Sequence, residues 1–80
     1  MTDPARHIAL GDPAALREFV GECATLMRIT CEIAERQAEI GDDIGLTYAM
    51  RRLRAYLRAA SGPVAELNEM RKPAAEPEAA

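Results

Sequence analysis

At 80 residues the chain holds one small domain at most, and a formal charge of −3 speaks against a nucleic-acid binder, whose footprint is normally basic. Aromatic residues make up 4% of the chain, β-branched runs are absent and alanine is abundant, which speaks against strands and predicts an all-α protein. No signal peptide and no transmembrane run is evident, so the expected compartment is the reducing cytoplasm, with no membrane partner.

Residues 1–11 carry no sustained period and are expected to form a flexible arm, with Ile8 and Leu10 able to latch onto the rest. A helix is predicted over 12–40. Asp12 is placed to cap it, and Pro13 suits the first helical position, where its missing N–H costs nothing. Two apolar lanes run along this helix. One reads Leu16, Phe19, Cys23, Leu26, Thr30, Ile33, Gln37, Ile40, in the alternating 3/4 spacing of a coiled-coil seam. The other reads Val20, Ala24, Met27, Cys31, Ala34, Ala38 in the same spacing. Gly41-Asp42-Asp43-Ile44-Gly45 ends the helix, and so short a connection implies an antiparallel hairpin.

The second helix is predicted over 43–61, with a seam at Leu46, Met50, Leu53, Leu57 and Ala60 that continues through Val64 and Leu67. Ser61-Gly62-Pro63 interrupts it, which predicts a kink and a short third helix over 63–71. Residues 73–80 read as a disordered tail. The hairpin domain therefore spans 12–72. A core of about 60 residues is marginal alone, and oligomerisation is the usual remedy. The larger lane of the first helix is assigned to its own hairpin. The smaller lane, Val20, Ala24, Met27, Cys31, Ala34 and Ala38, is left to bind something else: a second copy, giving a four-helix-type dimer, or a different protein.

Charge is uneven. Between 46 and 61 stand Arg51, Arg52, Arg54 and Arg58 and no acid, with Tyr48 and Tyr56 one turn either side of Arg52. This face suits an acidic partner, an anion or, less readily, nucleic acid. Alternatively Arg51 and Arg52 pair with Glu32, Glu35 and Glu39 across the hairpin, in solvated bridges worth about 0–1 kcal/mol each. Cys23, Met27 and Cys31 at i, i+4, i+8 form a column that could interest Cu(I), a remote reading against ordinary interface packing. The two thiols lie about 12 Å apart along a helix, too far to bridge within a chain. Thr30 and Gln37 occupy seam positions that would otherwise be apolar, either fixing register or sitting back on the helix and at a wet edge.

Catalysis is not expected. The single histidine, His7, lies in the arm, and no glycine-rich phosphate loop is present. Arg17, Arg36 and the Arg51–Arg54 group, with Ala34-Glu35-Arg36, are superficially similar to the small all-helical chorismate mutases. The sequence departs from that family because its sole lysine is Lys72 and its C-terminal segment is too short for a full third helix. No family is assigned, and no cofactor or metal is expected. The favoured function is a non-enzymatic adaptor, regulator or inhibitor that binds protein. An anion- or nucleic-acid-binding hairpin is the alternative, and a soft-metal bundle the remote one.

Overall fold

The computed structural model describes residues 12–72; the expected arm at 1–11 and tail at 73–80 lie outside the described residues. Helix α1 (Pro13–Ile40) and helix α2 (Asp43–Arg71) pack along each other, and the described residues contain no strand. Only Gly41 and Asp42 separate them, so the pair is an antiparallel hairpin.

Local chemistry explains each boundary. The Asp12 side chain accepts from Ala14 N–H at 3.1 Å, and Pro13 opens the helix behind it. Gly41 ends α1 at φ 75°, a left-handed conformation that favours glycine. Its N–H donates to the Ala38 carbonyl and the next N–H, of Asp42, to the Gln37 carbonyl, which closes a Schellman turn. The Asp42 carboxylate then accepts from Gly45 N–H at 2.9 Å and starts α2 at once. One residue thus both completes the end of α1 and caps α2.

The interhelical seam runs between the two apolar lanes of α1 instead of along one of them. Leu16, Cys23, Thr30 and Ala34 are buried, and Val20, Met27 and Gln37 are half-buried. In chain order these residues keep a strict 4/3 spacing. On α2 the corresponding row is Leu46, Ala49, Leu53, Tyr56, Ala60, Pro63 and Leu67, with Ala49 and Ala60 fully buried. This differs from the predicted seam, in which Met50, Leu57 and Val64 took the places of Ala49, Tyr56 and Pro63; those three are exposed. The small buried residues Ala49 and Ala60 let the helix axes approach closely, and the positions between them follow the register these two set.

Helix α2 is continuous through Ser61-Gly62-Pro63, and this corrects the expected division into helices over 43–61 and 63–71. Proline removes one backbone donor and crowds the preceding turn. Ser61 Oγ donates to the Leu57 carbonyl at 2.8 Å, and Gly62 leaves open space beside it. Buried Ala60 and half-buried Leu67 bracket the proline on the seam, so packing against α1 holds both sides in one register.

Candidate functional site

The consequence of this seam is that most of the large apolar side chains face outward. Leu16 is the only large side chain fully buried among the described residues. On α1, Leu26 and Ile29 are each 42% exposed, Ile33 48% and Ile40 76%. On α2, Ile44, Met50, Leu57, Val64 and Met70 are exposed.

Most of these residues fall on two opposite flanks of the hairpin. In an antiparallel pair, positions just before the seam on one helix share a side with those just before it on the other. Phe19, Leu26, Ile33 and Ile40 therefore emerge beside Arg52 and Ala59. A cleft lined by Thr30, Ile33, Gln37, Tyr48, Ala49 and Arg52 joins the two helices on this side, here called the Ile33 flank. Ala24, Cys31 and Ala38 emerge on the other side with Met50, Leu57 and Val64, here called the Cys31 flank. At the far end of the hairpin, Arg17 and Arg71 from that same side share a cleft.

The smaller lane predicted as a partner surface is thus split. Ala34 is buried and Val20 and Met27 are half-buried in the hairpin's own seam, whereas Ala24, Cys31 and Ala38 are exposed. The larger lane divides in the same way, with Leu26, Ile33 and Ile40 outside. Periodicity alone does not mark Met50, Leu57 and Val64 as outward-facing. The one sequence signal is Ala49 beside Met50, a small residue that allows close approach and shifts the register of the whole row.

The arginines make little use of the chain's own acids. Among the described residues the ion pairs are Arg28–Glu32 and Lys72–Glu69, both along a single helix. Arg51, Arg54 and Arg58 pair with none of Glu32, Glu35 and Glu39, because all six point away from the seam. Arg52 is held differently. Its guanidinium lies 5.8 Å from the centroid of the Tyr48 ring and 5.6 Å from that of Tyr56, and Nη2 donates to the Tyr56 hydroxyl at 2.5 Å. Hydrogen bonding to Tyr56 first and to Tyr48 second raises its pKa above the ordinary guanidinium value.

The sulfur column is also broken up: Cys23 is buried, Met27 half-buried and Cys31 exposed, and both cysteines are free. No group of three or more His, Cys, Asp or Glu side chains is placed to hold a metal ion among the described residues. His7 lies outside the described residues. Thr30 Oγ1 donates to the Leu26 carbonyl at 2.7 Å, the helix-backed arrangement considered for it. Gln37 Oε1 is buried without a hydrogen-bond partner. No helix of the described residues is long and apolar enough to cross a membrane.

A scan against protein-family models, a search of curated proteins and a search of solved structures each found no match to this chain.

Proposed function

We propose that this chain is a non-enzymatic protein-binding module that acts through helix–helix association in the cytoplasm. One observation carries the reading. The hairpin buries a single large side chain completely and leaves Leu26, Ile29, Ile33, Met50, Leu57 and Val64 substantially in water. Full burial of such a side chain contributes roughly 1.5–3 kcal/mol, and with about half of each still in water each flank holds an unrealised driving force for association. Exposed rows of large apolar side chains of this kind are the usual mark of an interaction site.

The test is photo-crosslinking in the native host. A photoreactive phenylalanine analogue at Ile33 or Leu57 is expected to give a discrete covalent adduct to protein, while the same analogue at Thr25 or Arg58, on the outer surfaces, gives none. Absence of an adduct from either flank would refute the module reading.

A second reading, anion or acidic-partner binding by the arginine face, is favoured by Arg51, Arg54 and Arg58 lacking acidic partners among the described residues. It predicts salt-sensitive retention on heparin that Arg54→Glu with Arg58→Glu abolishes. Retention unchanged in that double variant would remove it.

A further inference from the structure

We propose that the Ile33 flank is the interface of a homodimer, in which two copies stack with their α1 helices antiparallel about a two-fold axis beside Ile29. The inference rests on the protein-binding reading and names its partner as a second copy.

The lane itself is the first argument. Along α1 this flank reads Phe19, Glu22, Leu26, Ile29, Ile33, Arg36, Ile40, with the 3/4 alternation of a packing seam. Reversed about Ile29, Leu26 falls opposite Ile33 and Phe19 opposite Ile40, within one residue. Its two charged members, Glu22 and Arg36, stand seven residues before and seven after Ile29 and carry opposite charge. A two-fold axis there sets Glu22 of each copy against Arg36 of the other, twice. An isologous interface requires that reciprocity. Neither side chain makes an ion pair among the described residues, and both are exposed.

Helix α2 is set against the same axis by its level in the hairpin. The shared clefts set Thr30, Ile33 and Gln37 level with Tyr48, Ala49 and Arg52, and Pro13 and Arg17 level with Leu67–Arg71. An axis beside Ile29 therefore crosses α2 next to Leu53. Reversal there brings Tyr48 over Ala59, Arg52 over Ala55 and Gly45 over Gly62. Tyr48 and Arg52 each fall opposite a small side chain, with the two copies' Arg52 side chains flanking the axis. Ala55 and Ala59 are exposed, and at Gly62 the space where a Cβ would stand is open for 4 Å around.

The opposite flank lacks this self-complementarity of charge. It carries Arg17, Arg28, Arg54 and Arg71 against Glu35 and Asp43, so two copies meeting there would bring together net positive surfaces, whereas over both helices the Ile33 flank carries Arg36 and Arg52 against Glu22, Glu66 and Glu69 and is close to balanced. Charge thus selects the Ile33 flank for self-association and leaves the Cys31 flank outward.

The test is a charge swap read by sedimentation equilibrium of the purified full chain. Glu22→Arg alone, or Arg36→Glu alone, converts two attractive pairs into two like-charge contacts and is expected to raise the dimer dissociation constant at least about tenfold. The two single variants mixed together are expected to form a heterodimer, and the double variant Glu22→Arg with Arg36→Glu to recover wild-type affinity. Both sites are exposed, so a folding defect is not anticipated, and recovery in the double variant rules one out. Separately, Ile29→Cys in a Cys31→Ser background is expected to give a disulfide-linked dimer on mild oxidation. A chain that is monomeric at all concentrations overturns the inference, and a foreign adduct in the crosslinking experiment would then leave the protein-binding reading intact. A dimer that ignores the charge swap and does not link through position 29 also overturns it, and assigns association to another face.

Discussion

Two glycines on this hairpin show how context sets the sign of one substitution. A Cβ at Gly45 would run into the Asp42 carboxylate and come within 2.6 Å of Gln37 Nε2. The carboxylate is the cap of α2, so it has no free direction in which to retreat. Gly45→Ala is expected to cost about 1–2 kcal/mol, the size of a lost cap, seen as a lower midpoint in urea denaturation. Gly21, in mid-helix with nothing within 4 Å, presents the opposite case. There Gly21→Ala is expected to stabilise by about 0.5–1 kcal/mol, through reduced chain entropy in the unfolded state. Gln37 offers a third check, because its Oε1 is buried without a partner. Replacing it by methionine of similar length removes the orphaned acceptor, and Gln37→Met is expected to raise the same midpoint by an amount equivalent to about 1 kcal/mol.

At the scale of the element, the helix ends are legible in the sequence and the seam is not. Asp12-Pro13, Gly41 and Asp42 act through bonds to residues at most five away, so their roles follow from local chemistry alone. The seam is a contest between two lanes that are both apolar and both correctly spaced, and periodicity does not rank them. The outcome depends on how closely two helices approach, which Ala49 and Ala60 decide on α2 and which no reading of α1 contains. Pro63 escapes a local reading for the same reason: propensity predicts a break, while packing on both sides keeps the helix whole. If packing carries that strain, relieving it has a measurable effect. Pro63→Ala is expected to raise the helical signal at 222 nm and to stabilise the hairpin by up to about 3 kcal/mol, less whatever the half-buried ring contributes by contact. No gain in either measurement would show that the proline is fully accommodated in α2.

At the scale of the whole molecule, the hairpin divides its apolar residues between one seam and two flanks, and the division limits what a single copy achieves. Domains of about 60 residues are marginal even with a complete core. Here Leu16 alone among the large side chains described is completely shielded, and Leu26, Ile29 and Ile33 remain over two-fifths exposed. Stability should therefore depend on whatever covers the flanks, and coverage by another chain is governed by mass action. For a two-chain folded state, each tenfold rise in protein concentration adds about 1.4 kcal/mol to the folded side. With the heat-unfolding entropy of two such domains, this corresponds to a Tm increase of about 5 °C per tenfold. Calorimetry across two decades of concentration is expected to show that shift for the wild-type chain and a smaller one for Arg36→Glu, whose flank repels its copy. A Tm that stays constant across the range would mean that the seam between α1 and α2 is sufficient alone, and that the outward leucines and isoleucines contribute nothing to holding this fold together.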